Sequence, residues 1–326
     1  MKVLVTGGAG FLGGRLARAL LGRGTLAGPD GRQEAIERLV LLDLAPAQGF
    51  ADPRVEVVGG DVADEALLRR VVDDATGSVF HLAAVVSAQA EADFDLGMRV
   101  NLDATRALLE ACRRLRRPPR LVATSSVAVY GGALPAVVTD ETALRPQSSY
   151  GIQKAVGELL VADYTRRGWV DGRVLRLPTV SVRPGKPNRA ASSFASGIIR
   201  EPLSGAEAIC PVPPGTRLWL LSPRKAVEGL VHGHELPSAA LGGVRSVNLP
   251  GLSVTVAEMV AALERVAGRE APARIRWERD PLVERIVSSW PGAWDTSHAL
   301  GLGFAGDADF ESVVRAYLED DLAAAR

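Results

Sequence analysis

Tyr150 and Lys154 stand four apart at the start of a stretch with helical periodicity, which puts them one turn apart on one helix face. A phenol is a weak base with a free pKa of about 10, and an ammonium held beside it favours the phenolate. Such a pair can take the proton of an alcohol. With four tyrosines and four lysines in 326 residues, chance supplies only about 0.05 pairs of this spacing. Ser125 and Ser126 close the apolar run 120–126. A hydroxyl at the carboxyl end of a strand can hold a substrate oxygen against the phenol. Residues 6–13 read TGGAGFLG, between the apolar run KVLVT and a helical pattern. Gly7, Gly10 and Gly13 there let the backbone turn sharply and approach a pyrophosphate. Phe11 and Leu12 then fall in the first helical turn, whose amides face the anion.

Further residues fall where a dinucleotide would need them. Asp43 ends the run 38–44, where a carboxylate can accept both ribose hydroxyls of NAD and repel the 2′-phosphate of NADP. A helix cap or a solvated strand end is the alternative. Residues 23–37 lengthen the path from the glycines to Asp43, and the turn signals Gly24, Gly28, Pro29 and Gly31 predict a surface loop. Asp61, followed by Val62, is placed to reach the adenine, with a helix cap as the other reading. Ala83 closes the run 78–83, and Ser87 follows as a second hydroxyl for the substrate. Asn101, near the start of a long helix, can bind a backbone carbonyl or a relay water, or cap the helix. Residues 183–200 gather Arg183, Lys186, Asn188, Arg189, Ser192, Ser193 and Arg200. They suit a small anion with hydroxyls or a diphosphate, although each taken singly reads as a solvated surface group. His232, His234 and Glu235 do not converge on one helix face, so no metal site is expected. Cys112, Cys210, Trp219, Trp290 and Trp294 read as packing residues.

These residues need elements to hold them. Strands are expected at 2–6, 38–44, 54–58, 78–83, 120–126 and 172–177, with helices at 11–22, 64–75, 99–114 and 149–168 between them. Continuous apolar strands alternating with helices predict an α/β fold, a doubly wound parallel sheet covered on both faces. The rhythm breaks after Leu177 among seven prolines in 178–215, where a smaller second domain should begin. A strand-then-helix pattern returns at 217–235, and 253–267 reads as an amphipathic helix. The expected division is 1–178 with about 216–250 for the cofactor, and 179–215 with about 251–326 for the substrate. Lys+Arg and Asp+Glu both number 38, so neither nucleic acid nor a basic membrane-binding face is indicated. No apolar run reaches about 18 residues, the N-terminus is not a secretion signal, and two cysteines suit a reducing compartment. A cytoplasmic protein is expected.

TGGAGFLG, Asp61, TSSVAVYG at 124–131, the Tyr150–Lys154 pair and Pro178 together resemble the extended short-chain dehydrogenases/reductases, over essentially the whole chain. The resemblance implies a Rossmann domain with a smaller C-terminal substrate domain and NAD as cofactor. It implies Tyr150, Lys154 and Ser126 as catalytic residues, Pro178 against the cofactor, and a homodimer paired through the helices at 99–114 and 149–166. Thr124-Ser125-Ser126 departs from the Thr-Asp-Glu of the 4,6-dehydratases. Residues 81–103 and 176–201 resemble a branch of that family, the D-erythronate dehydrogenases. This implies oxidation of the C2 hydroxyl of a small sugar acid to a 2-oxo acid. A nucleotide-sugar 4-epimerase, such as one acting on UDP-sugars, would use the same catalytic residues. A non-catalytic NAD-sensing protein on this fold would usually lack the tyrosine or the lysine.

Overall fold

The computed structural model describes residues 1–185 and 191–323. The chain opens with β1 (Lys2–Thr6), every residue of which is buried. After the glycine loop, α1 (Phe11–Arg23) packs Leu16, Ala17 and Leu20 inward and stops at Gly24, whose φ of 74° places it in the left-handed region. β2 (Thr25–Ala27) and β3 (Gln33–Ala35) pair antiparallel, so the expected surface loop at 23–37 is instead a hairpin. β4 (Arg38–Asp43) and β5 (Val55–Gly59) follow. α2 (Glu65–Val71) is shorter than its periodicity suggested, and Asp64 caps it by accepting from the Ala66 and Leu67 amides. β6 (Thr76–His81) leads through α3 (Ser87–Ala92) and α4 (Phe94–Gly97) into a π-helical turn at Met98–Asp103. α5 (Ala104–Arg113), β7 (Arg120–Ser126), α6 (Ser149–Arg166) and β8 (Asp171–Leu177) complete the first half.

Next come β9 (Thr179–Val180), α7 (Ser193–Leu203), β10 (Ala208–Cys210), β11 (Arg217–Leu221), α8 (Pro223–Glu235), α9 (Ser238–Leu241) and β12 (Ser246–Asn248). β13 (Leu252–Thr255) precedes α10 (Val256–Ala267), and β14 (Ile275–Trp277), α11 (Pro281–Ser288), α12 (Ser297–Gly301) and α13 (Phe310–Tyr317) follow. The helix expected at 253–267 therefore starts at Val256. Its first residues are a strand instead, because Val254 pairs across from Leu218 on β11, and Thr255 closes a capping box with Glu258.

Two units divide the chain. The first holds 1–129, 146–176 and 227–248, the second 130–145, 177–226 and 249–326. The first unit is built on a seven-stranded sheet in the order β12-β8-β7-β6-β1-β4-β5. The pairs β1–β4, β1–β6, β4–β5, β6–β7 and β8–β12 run parallel. Its core includes Leu4, Val40, Leu42, Leu68, Val79, Leu108 and Leu121, all under 2% exposed. Each such side chain contributes about 1.5–3 kcal/mol by leaving water. The chain re-enters this unit at Val227, inside α8, rather than at about 216. The physical reason is that β11 pairs with β9 and β13 in a separate three-stranded sheet.

The second unit packs Phe194, Ile198 and Ile199 of α7 in one core with Met259 and Leu263 of α10 and with Phe310 and Val313 of α13. Trp294 lies between Tyr130, 4.9 Å away edge-on, and Trp219, stacked at 6.1 Å. Val138 bridges to Trp294, which brings 130–145 into this unit. Among the described residues, no helix is long and apolar enough to cross a membrane.

Candidate active site

The glycine loop joins β1 to α1 at the carboxyl edge of the sheet. Gly7 has φ of 74°, and a Cβ there would lie 2.7 Å from the Ala83 nitrogen. A Cβ on Gly13 would overlap the Gly7 carbonyl oxygen, so side chains are excluded where the chain must fold closest. α1 begins with no side-chain cap and no acid in its first turn, which leaves its positive end suited to an anion. A cleft of about 380 Å³ opens beside the loop, lined among others by Gly7, Gly10, Asp43, Asp61, Val62, Ala83, Val85 and Gln89. The Asp43 carboxylate, at the end of β4, accepts from the Ala9 amide at 3.0 Å. It is therefore tied to the glycine loop and is not a helix cap. Asp61 accepts from the Ala63 amide at 2.9 Å and pairs with Arg99. This cradle of bare backbone, uncapped helix and carboxylate fits a dinucleotide. Gly7, Gly10, Phe11, Leu12, Gly13, Asp43, Asp61, Val62 and Ala83 are the groups that could hold it.

Tyr150 and Lys154 sit in the first turns of α6, whose start is capped by Ser148 accepting from the Gly151 amide at 3.1 Å. Gly151 is needed because a Cβ there would collide with the Ala128 carbonyl oxygen, so α6 packs tightly on the segment after Ser126. Lys154 is 8% exposed. Its Nζ donates to the Thr124 carbonyl at 3.0 Å and lies 5.8 Å from the Tyr150 ring centroid. Burial lowers the Lys154 pKa to about 8, against the opposing pull of Glu158 one turn further along. Glu158 is itself held by Arg176 of β8 in a buried pair, Nη2 to Oε2 at 2.6 Å. Ser126 Oγ accepts from the Ala128 amide at 3.2 Å. Ser125 Oγ is buried with no hydrogen-bond partner among the described residues.

Asn101 does not cap a helix. It sits in the π-helical turn, accepts from the Val85 amide at 2.8 Å and donates to the Val85 carbonyl and to Gln153 Oε1. It thereby pins the cleft wall to α6. Ser87 begins α3, half-buried. Pro178 is buried between β8 and β9. Arg183 belongs to the second unit. Its amide donates to Ser196 Oγ at 3.0 Å, its Nη2 reaches Ser192 Oγ at 3.4 Å, and its carbonyl accepts from Arg200 Nη1. Arg200 is buried and pairs with Glu201, so it is a structural cation and not a surface charge. Lys186 and Asn188 lie outside the described residues.

Several contributors escaped the sequence reading. Arg99, Gln153 and Arg176 act through partners distant along the chain, and no local spacing marks them; Glu158 stands four residues from Lys154 on the same helix, a spacing that could have found it. His81 carried one signal, a polar residue inside the apolar run 78–83. Its ring bonds Thr6 Oγ1 at 2.7 Å and Thr105 Oγ1 at 3.0 Å. Among the described residues, no group of three or more His, Cys, Asp or Glu could hold a metal ion. His234 is instead buried against Phe80, stacked at 5.1 Å, and bonds Ser78 Oγ at 2.8 Å.

Comparison with known proteins gives a consistent picture. Residues 3–219 match the model of the NAD dependent epimerase/dehydratase family. The chain is 67% identical over 320 residues to a D-erythronate dehydrogenase of Cupriavidus necator, covering 98% of each chain. It is 45% identical to a D-erythronate dehydrogenase of Haemophilus influenzae, covering 99% of this chain and 100% of that one. A solved structure described as a nucleoside-diphosphate-sugar epimerase from Agrobacterium tumefaciens superposes with a TM-score of 0.94 at 41% identity, covering 99% of this chain and 95% of that one.

Proposed function

The chain belongs to the NAD dependent epimerase/dehydratase family, and from that premise we propose that it oxidises the C2 hydroxyl of D-erythronate to the 2-oxo acid. It is an NAD-dependent oxidoreductase acting on a sugar acid. The observation that carries the chemistry is the Tyr150–Lys154 pair, with its ammonium buried on the Thr124 carbonyl. The choice of substrate is supported by the two D-erythronate dehydrogenases.

When bound, NAD supplies the acceptor for the C2 hydride. Gly7, Gly10, Phe11, Leu12 and Gly13 would receive its pyrophosphate and Asp43 its adenosine ribose, with Asp61, Val62 and Ala83 flanking it. Tyr150 removes the C2 hydroxyl proton as the carbonyl forms. Lys154 favours the phenolate electrostatically and binds the nicotinamide ribose. Ser126 donates to the substrate oxygen and orients it. Ser87 and Ser125 are assigned to the remaining hydroxyls of the substrate. Asn101 acts as the clamp on the cleft wall.

A homodimer through α5 and α6 is part of the same reading. It is supported by Ile152 and Leu159, 51% and 68% exposed on α6. Sedimentation at micromolar concentration should give twice the monomer mass; a monomer would remove that part. The cytoplasm is the proposed location.

Net NADH release tests the substrate. Purified protein with NAD should raise NADH absorbance with D-erythronate and not with its epimers. A second reading, sugar-nucleotide epimerisation, is favoured by the description of the Agrobacterium relative. It would show binding of a UDP-sugar and interconversion without net NADH.

A further inference from the structure

We propose that His81 is a positioning residue, a neutral imidazole protonated on Nε2 that sets the spacing between the glycine loop and the facing wall of the nucleotide cleft. The proposal deepens the assignment of that cleft to NAD and rests on it.

The buried hydrogen bonds around His81 have a readable direction. Thr105 Oγ1 donates to the Asn101 carbonyl at 2.8 Å, which can only accept. The single hydroxyl hydrogen is thus used, and the 3.0 Å contact between His81 Nε2 and Thr105 Oγ1 requires the hydrogen to be on Nε2. At the other end, Thr6 Oγ1 accepts from the Ala83 amide at 3.3 Å. Its own hydrogen is then free for His81 Nδ1 at 2.7 Å. The chain runs from the Ala83 amide through Thr6, His81 and Thr105 to the Asn101 carbonyl, with a donor and an acceptor at every junction. Thr6 and His81 are 0% and 4% exposed, and Thr105 is 7% exposed, so water does not compete.

One end of this chain finishes on the cleft, and the other reaches its wall through the Asn101 side chain. Ala83 lines the cleft, and its nitrogen is the atom that a Cβ on Gly7 would strike. Thr6 is the residue before Gly7. At the far end, the Asn101 side chain takes the amide and carbonyl of Val85, which also lines the cleft. The His81 carbonyl accepts from Thr124 Oγ1 at 3.2 Å, and the Thr124 carbonyl holds Lys154. One imidazole thus connects the glycine loop, the 83–85 wall and the strand end under the lysine. A protonated ring would have two donors and break the Thr6 junction. Burial, with the nearby Lys154 charge, lowers the His81 pKa to about 3, which keeps the ring neutral.

The test has two arms. In ¹⁵N-histidine NMR of the full chain without cofactor, four histidines are present. The His81 signals are assigned by their loss in His81→Gln. They should show Nε2 protonated, Nδ1 bare, and no titration from about pH 5 to about pH 8. In Thr105→Val, which removes the acceptor, the proton should move to Nδ1. An Nδ1-protonated wild type, titration near the usual histidine range, or an unmoved tautomer in Thr105→Val would overturn the proposal. In the second arm, NAD dissociation constants are measured by fluorescence for Thr6→Val and Thr105→Val, with Thr6→Ser and Thr105→Ser as controls that keep the hydroxyl. The valine variants should bind NAD about tenfold more weakly, with turnover at saturating NAD within about threefold of wild type and the serine variants near wild type. Unchanged NAD affinity in both valine variants would overturn it. Failure of wild type to bind NAD would refute the cleft assignment instead, and the NMR arm would still read the His81 chain.

Discussion

In the proposed reaction the phenol of Tyr150 and the ammonium of Lys154 have different tasks, and their variants should separate. Tyr150→Phe removes only the hydroxyl, so NAD should bind with near-normal affinity while turnover falls by about 10³-fold, in the range of lost general acid–base catalysis. Near-normal turnover would exclude Tyr150 as the base. Lys154 is held at an energetic cost. Its folded pKa of about 8 lies below the ordinary lysine value of 10.5, so at pH 7 both states carry the charge and the folded state bears the desolvation. As pH rises from about 8 to about 10.5 the unfolded chain binds more protons, and this group's contribution to stability rises with it. Lys154→Met should therefore raise the stability of the cofactor-free protein at pH 7 by about 1–3 kcal/mol while activity is lost. Its denaturation curves should lack the rise between those pH values. A destabilised Lys154→Met would mean that the bond to the Thr124 carbonyl outweighs the burial of the charge.

At the scale of elements, the hairpin β2–β3 gives a pH-dependent test. Glu235, at the end of α8, accepts from Arg23, from the Ala27 amide and from Gln33. Burial alone would raise its pKa, but the His234 ring 3.5 Å away, the bonds from Ala27 and Gln33 and the charge of Arg23 pull it down to about 2. A carboxyl lowered on folding contributes stability above its unfolded value of 4.5 that is lost as pH falls toward 2. Glu235→Gln should lower stability at pH 7 by about 2 kcal/mol, the scale of hydrogen bonds to a charged group. It should also flatten the acid limb of the stability curve. Chemical denaturation at pH 7 and pH 3 measures both. The same hairpin shows where sequence reading stops. Strands β1, β4, β6 and β7 were legible because each carries a short apolar run, and α6 because its stretch has helical periodicity. The hairpin was not, because its clamp comes from Glu235, about 200 residues away. The strand at 252–255 was hidden for a like reason: β11, its partner, lies more than 30 residues earlier.

For the molecule as a whole, zero net charge and an ordinary composition left function to the site, and the site was partly legible. The glycine loop, Asp43, Tyr150 and Lys154 carry their chemistry in local spacing. The buried support does not. His81, Thr6, Thr105, Gln153 and Arg176 meet their partners only when strands and helices bring distant positions side by side. The division into units follows the same logic, with β11 joining the second sheet through partners the sequence does not mark. In the proposed reaction the hydrogen on C2 of D-erythronate leaves as hydride while Tyr150 takes the hydroxyl proton. The most direct measurement uses D-erythronate deuterated at C2, with the reduced cofactor analysed by mass spectrometry. One deuterium is expected in each molecule of reduced NAD, with a slowed single-turnover rate that is absent for substrate deuterated at C3. Reduced NAD without deuterium, or no net reduction at all, would contradict it.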